Sequence, residues 1–116
     1  MNILTFREYC LTFDAVTEEF PFDENTLVFK VHGKMFALCD VDEFESINLK
    51  CDPDRALLLR EEYPEVRPGY HMNKKHWNTV SMKGDLPEEL IREWVRDSYW
   101  LVVTNLPKKL REELSG

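Results

Sequence analysis

The two-residue alternation of apolar and polar side chains between residues 26 and 51 constrains this fold more than any other feature. Such a period is typical of β-strands, because successive residues of a strand point to opposite faces of a sheet. The alternation occupies three runs, which are joined by short connections, at 26–31, 35–41 and 46–51. Short connections favour antiparallel pairing, so this segment is predicted to be an antiparallel meander with one face more exposed to solvent.

Four helices are predicted around this meander. Thr5 and Glu8 have the spacing of a capping box, and Asp52 followed by Pro53 is typical of a helix start. A third helix, the longest, is indicated by apolar residues at three- and four-residue spacing. The predicted helices cover residues 6–13, 53–62 and 87–104, and a short final segment that begins near residue 107.

The order of these elements predicts a single α+β domain over residues 1–116. Strands interrupted by helices favour an antiparallel sheet with the helices packed on one face. A chain of 116 residues is long enough for one core of this kind and too short for two. No apolar run approaches the roughly 18 residues that cross a bilayer, so we expect a cytoplasmic protein with no membrane association.

The distribution of charge identifies one candidate binding surface. The chain has a net charge of −7, yet residues 66–84 contain four Lys or Arg side chains and no acid. The stretch 67–80 also contains two of the three histidines, a tyrosine, a tryptophan and two asparagines. Side chains of these types bind phosphates, sugars and bases, so the stretch is predicted to bind an anion or a nucleic acid.

Alternation predicts that this stretch is a β-hairpin with two different faces. Two extended runs, 70–73 and 76–82, flank Lys74 and Lys75, so the tip of the hairpin should be basic. The apolar face, which should hold the sheet to its helices, consists of Tyr70, Met72 and Trp77. The accessible polar face should consist of His71, Asn73, His76 and Asn78.

Four blocks of the sequence resemble the MmcQ/YjbR family. They are SINLKCDP (46–53), PGYHMNKKHWNTV (68–80), LPKKLREEL (106–114) and FPFDENTLVFKVHGKMFAL (20–38), which is similar to the family's N-terminal signature. The resemblance covers nearly the whole chain in the same order. It implies a CyaY-like two-layer fold, and it implies the family's description as predicted DNA-binding proteins with a proposed double-wing arrangement of hairpins.

The first functional hypothesis is weak binding of DNA or another nucleic acid through the basic hairpin. Because neutralisation of phosphates drives such binding, a few local cations on an acidic protein predict a weak and salt-sensitive affinity. The candidate contact residues are Lys50, Arg67, His71, Asn73, Lys74, Lys75, His76 and Asn78.

Two other kinds of binding fit the same sequence. The polar residues of the hairpin also suit a small anionic ligand, such as a phosphate or a carboxylate. Trp94, Tyr99 and Trp100 crowd one predicted helix and could leave an apolar patch for a protein partner. No nucleophile or carboxylate occurs at a sequence spacing from the histidines that indicates a catalytic site. No catalytic residue, enzyme activity or cofactor is therefore predicted.

Neither the cysteines nor the acidic residues predict a metal site. Cys10, Cys39 and Cys51 are odd in number and lack a CxxC spacing, so we expect them to pack as small apolar side chains. Frataxins, which have a CyaY-like fold, present acidic surfaces to iron, and several acids occur here between residues 14 and 24. Scattered acids of this kind are more often a solvated surface.

Overall fold

The computed structural model describes residues 1–114 and contains, within that range, four helices and six strands. No helix in this part of the chain is long and apolar enough to cross a membrane. The elements in chain order are α1 (Ile3–Leu11), β1 (Val16–Glu19), β2 (Thr26–Val31), β3 (Lys34–Asp40), β4 (Ser46–Lys50), α2 (Pro53–Glu62), β5 (Val66–Pro68), β6 (Trp77–Ser81), α3 (Glu88–Thr104) and α4 (Lys108–Glu112).

The six strands form one sheet in the order β1-β2-β3-β4-β6-β5, and every neighbouring pair is antiparallel. The main core lies on one face of this sheet. It combines strand residues such as Phe29 and Ile47 with Phe6 of α1, Leu59 of α2 and Val95 of α3. The predicted two-layer α+β fold, with helices on one face of an antiparallel sheet, is confirmed.

The first helix begins earlier than the predicted range of 6–13. Its N-cap is Asn2, whose side-chain oxygen accepts a hydrogen bond from the Thr5 N–H at 2.9 Å. Asparagine is as good an N-cap as threonine, so the helix starts at the first suitable residue and the Thr5–Glu8 pair lies inside it. The edge strand β1 was not predicted, because four residues that include two glutamates give too short an alternation.

Ser98 joins α3 to the sheet through two hydrogen bonds. Its buried hydroxyl donates to the Phe36 carbonyl oxygen at 2.6 Å and accepts from the Lys50 N–H at 2.9 Å. The pairing of β3 with β4 ends at Ala37 and Leu49, so Phe36 and Lys50 would form the next pair. Ser98 bonds to both of them instead, and α3 therefore determines where β3 and β4 separate.

Ser98→Ala should lower the free energy of unfolding by about 1–3 kcal/mol, because an N–H and a C=O at the contact between helix and sheet lose their partner. Urea unfolding measures this change. Thr104→Ala is a matched control, since the Thr104 hydroxyl donates to the Leu101 carbonyl at an exposed position of the same helix. An equal loss in both variants would contradict the role assigned to Ser98.

Candidate functional site

The basic segment forms a hairpin, but a less regular one than predicted. Val66 pairs with Val80 and Pro68 with Asn78, so β5 and β6 are its two strands. Residues 69–76, called here the connecting loop, form turns, and the strand predicted over 70–73 is absent. The backbone of His71 has a φ of 58°, which is the left-handed conformation and is incompatible with a strand.

The connecting loop packs on the open face of the sheet, which is the face opposite the helices. Trp77 is buried there in a small cluster, separate from the main core, with Val28, Leu38, Met35 and Met72. A Cβ atom on Gly69 would lie 2.8 Å from the Trp77 Cβ, so this close approach requires glycine. The prediction that Trp77 and Met72 hold the sheet to its helices is therefore wrong, since they hold the loop to the open face.

Arg60 of α2 fastens the connecting loop to the rest of the protein. Its Nε donates to the Asn78 side-chain oxygen at 2.7 Å. Its Nη2 donates to the carbonyl oxygens of Trp77, at 3.2 Å, and Lys74. A guanidinium can serve several acceptors because its N–H groups form a planar fork. Nothing in the sequence marks Arg60, since two of its partners are backbone carbonyls.

Asn78 is buried, so the prediction that it is an accessible contact residue is wrong. Only 3% of its surface is exposed, and it lines a cavity on the helix side of the sheet. The cause is the orientation of β6. Its apolar residue Trp77 faces the open side, so its neighbour Asn78 faces the helices together with Val80, which belongs to the main core.

Three other predicted residues lie on the open face. Arg67 and Lys74 line a surface cavity of about 490 Å³, and His71 lines a neighbouring groove of about 480 Å³ that extends to Phe22. Both depressions are also lined by Tyr70, which is 69% exposed. Tyr70 was predicted to face the core, and that prediction is wrong because the loop turns its ring to solvent.

The tip of the loop is compact. The Lys74 ammonium group donates to the Gly69 carbonyl at 3.0 Å, and the Asn73 side-chain oxygen accepts from the Lys75 N–H at 2.9 Å. Asn73 therefore shapes the turn, while the exposed Lys75 remains at the surface. Both lysines are exposed in the turn, and the Lys74 ammonium group folds back on the loop.

Lys50 and His76 do not line the cavity that contains Arg67. They line another cavity, of about 350 Å³, next to Asp52 at the start of α2. The His76 carbonyl accepts from the Cys51 N–H at 2.8 Å, which fixes the end of the loop beside β4. The eight predicted contact residues are thus divided among the open face, this cavity and the buried position of Asn78.

The aromatic residues of α3 do not form an exposed patch. Trp94 and Tyr99 are buried, and the half-buried Trp100 packs against the main core. The Tyr99 hydroxyl donates to the Asp14 carbonyl at 2.7 Å, so its polar group is also used within the protein. The docking surface predicted on this helix is therefore absent from the described residues.

Glu18, Glu19 and Asp23 take part in separate local contacts. The Arg7 guanidinium donates to both oxygens of Glu18, at 2.6 and 2.7 Å, and these hydrogen bonds lower the pKa of Glu18. Glu19 pairs with Lys30. Asp23 accepts from two backbone N–H groups, which lower its pKa. Across residues 1–114, no three His, Cys, Asp or Glu side chains are grouped in a way that could hold a metal ion.

The three cysteines differ in their accessibility. Cys10 and Cys39 are buried, and burial raises the pKa of the Cys39 thiol to about 12 and that of Cys10 well above its usual value. Cys51 is half-buried at the end of β4, where partial burial also raises the pKa of its thiol. Because a thiolate is the reactive form, raised pKa values make all three weak nucleophiles near neutral pH.

Cys51 should be the cysteine that iodoacetamide modifies in the folded protein, because the other two thiols are buried. Its raised pKa means that the labelling rate should still increase above about pH 9, where an ordinary thiol is mostly ionised. Timed labelling followed by peptide mass spectrometry measures the rate at each cysteine. Labelling of Cys39 as fast as Cys51 would contradict this placement, and Cys51→Ser is the control.

The YjbR family model matches residues 11–101, which is most of the chain. The chain belongs to the YjbR family. Two Escherichia coli relatives agree with this result. YbdF is 44% identical over 106 residues, covering 90% of this chain and 87% of YbdF, and YjbR is 34% identical over 115 residues, covering 98% of each protein. Both relatives are described as uncharacterized proteins, so they support the family and no specific activity.

Two solved structures have the same YjbR-type fold. The crystal structure of the Deinococcus radiodurans protein DR2400, with its DUF419 domain, superposes with a TM-score of 0.90 at 41% identity, covering 97% of this chain and 86% of that protein. A Pseudomonas syringae protein superposes with a TM-score of 0.73 at 28% identity, covering 87% of this chain and 98% of the other. The resemblance to the MmcQ/YjbR family is therefore confirmed.

Proposed function

We propose that this YjbR-family protein binds single-stranded nucleic acid weakly, through the open face of its sheet. The main support is the exposed Tyr70 ring, which lines the same surface cavity as Arg67 and Lys74. An exposed ring can stack on a base, and cations beside it can contact the phosphates of the same strand.

The backbone around Tyr70 is held in place before any ligand binds. The Tyr70 N–H donates to the Thr79 hydroxyl at 2.8 Å, and that hydroxyl donates to the Asn48 side-chain oxygen. The ring of His71 lies beside the Tyr70 ring, with centroids 4.0 Å apart. Because this backbone is already ordered, stacking on Tyr70 costs less conformational entropy than stacking on a flexible loop.

The shape of the loop favours a single strand over a duplex. A double-wing mode of binding needs a hairpin tip that enters a groove, whereas the Lys74 ammonium group is bonded to Gly69 and the loop packs on Trp77. The bases of a single strand are unstacked easily and can reach an aromatic ring on a shallow surface.

The surrounding charge limits the affinity and suggests the path of the strand. Asp23 and Asp40 line the groove that contains His71, and these carboxylates repel phosphates. The strand should therefore cross the neighbouring cavity, over Arg67 and Lys74. With so few cations, binding should weaken steeply as the salt concentration rises.

A small anionic ligand is the second candidate, because Arg67 and Lys74 line one cavity and could bind a phosphate together. This alternative requires the two cations but not the aromatic ring of Tyr70. The two candidates therefore predict different effects of Tyr70 substitutions.

Tyr70→Ala should weaken binding of a labelled oligothymidylate of about ten nucleotides by about tenfold, because one stacked base is lost. Tyr70→Phe should bind almost as well as the wild type, since it keeps the ring. Fluorescence anisotropy at low and at near-physiological salt measures both effects. Phe20→Ala is the matched control, because Phe20 is an exposed aromatic residue that lines neither open-face depression.

Substitution of the cations should change the salt dependence as well as the affinity. Arg67→Ala should reduce the slope of log affinity against log salt by about 0.7, the value for one phosphate contact on a single strand. Lys109→Ala, at an exposed position of α4, should leave that slope unchanged. Absence of binding at low salt would contradict the proposal. Binding of pyrophosphate that needs Arg67 but not Tyr70 would support the small anion instead.

A further inference from the structure

A second candidate site lies on the helix side of the sheet, between β4, β6, α2 and α3. It is a cavity of about 110 Å³ whose lining includes the apolar side chains of Leu49, Leu59, Val66, Val80 and Leu101. The open-face surface that contains Tyr70 is on the other side of the sheet. The two sites can therefore be tested separately.

Two buried hydrogen-bond donors in the lining of this cavity have no partner among the described residues. They are the side-chain Nδ2 of Asn78, a residue 3% exposed, and the indole Nε1 of Trp94, a residue 5% exposed. A buried donor without an acceptor costs about 1–3 kcal/mol, and most buried polar groups in native proteins are satisfied. Two such donors around one cavity indicate that acceptor atoms belong inside it.

The neighbours of both side chains fix them as donors. Arg60 can only donate, so its 2.7 Å hydrogen bond requires Asn78 to present its oxygen to Arg60 and leaves the NH₂ group without an acceptor among the described residues. The indole nitrogen of Trp94 is a donor in every state. The ring of Tyr63 packs edge-on against Trp94, with centroids 5.1 Å apart, and restrains the indole.

The charged side chains near the cavity are paired within the protein. Arg55 and Asp97 form an ion pair at 3.7 Å, and the Asp52 carboxylate accepts from two backbone N–H groups at the start of α2. A lining whose charges are already paired attracts an ion weakly, and transfer of an ion into an apolar cavity is costly unless it is paired. The chemistry of the cavity therefore favours an uncharged occupant.

From these observations we infer that the cavity binds a small uncharged organic molecule with an apolar body and a hydrogen-bond acceptor, such as a carbonyl oxygen or a ring nitrogen. An engineered cavity of about 150 Å³ in another protein holds benzene, so the buried part of this ligand has roughly four to five non-hydrogen atoms. Asn78 and Trp94 are the binding residues for its acceptor atoms, and Arg60 positions Asn78.

Two probe molecules of the same shape test the inference. Cyclopentanone has the carbonyl oxygen that the two donors require, whereas methylenecyclopentane replaces that oxygen with a CH₂ group. Titration of the ¹⁵N-labelled full chain should give saturable shifts of the Trp94 indole and Asn78 amide signals with cyclopentanone. The hydrocarbon should bind about fivefold more weakly, because it lacks the acceptor for about one hydrogen bond.

Two substitutions remove the donors. Trp94→Phe lacks the indole N–H and identifies the Trp94 signal, which disappears. Because phenylalanine is also smaller than tryptophan, both probes are measured in this variant, and loss of the preference for cyclopentanone is the diagnostic result. Asn78→Asp keeps an oxygen for Arg60 but presents no donor to the ligand. Each variant should bind cyclopentanone about fivefold more weakly than the wild type. Trp100→Phe, which alters a half-buried indole of α3 outside the cavity lining, should bind normally.

Three results would overturn the inference. They are shifts that do not saturate or are absent, equal affinity of the wild type for the two probes, and an unchanged preference for cyclopentanone in Trp94→Phe. If Asn78→Asp fails to fold, the comparison of Trp94→Phe with Trp100→Phe still decides the result.

Discussion

The contacts of Arg60 determine the geometry of both candidate sites. Its side chain extends from α2 to three acceptors on β6 and the connecting loop. The bonds to backbone carbonyls hold the loop on Trp77 and so place Tyr70 at the surface. The bond to Asn78 sets the orientation of an amide on the other side of the sheet. One guanidinium therefore links the surface proposed to bind nucleic acid with the cavity proposed to bind a small neutral molecule.

Helices on only one side of the sheet leave its other face free to bind a ligand. On the covered side, Ser98 separates β3 from β4 where Lys50 begins to line a cavity. On the open side, a buried tryptophan supports a loop instead of a helix. A protein with a net charge of −7 can present a local basic surface because residues 66–84 contain no acid, while Glu18 and Glu19 are paired with Arg7 and Lys30.

The sequence predicts the elements that depend on local chemistry and misses those that depend on the tertiary fold. Alternation located β2, β3 and β4, and the Asp52–Pro53 start located α2, since each signal lies within the element itself. Alternation also predicts which residues share a face, but it does not determine which face meets the helices. Trp77 and Val80 are both apolar and point to opposite sides, so Asn78 was assigned to the wrong side. Arg60 could not be predicted, because its partners lie 14 to 18 residues away.

Native-state hydrogen exchange of Arg60→Lys tests the central claim most directly, because lysine keeps the charge but lacks the planar fork. The amides of His76 and Trp77, which bond to the Asn73 carbonyl within the loop, should exchange about tenfold faster than in the wild type, while amides of β3 and α3 are unchanged. Arg55→Lys, in a half-exposed ion pair of the same helix, is the control and should change neither set. Unchanged exchange of the loop amides in Arg60→Lys would contradict the account.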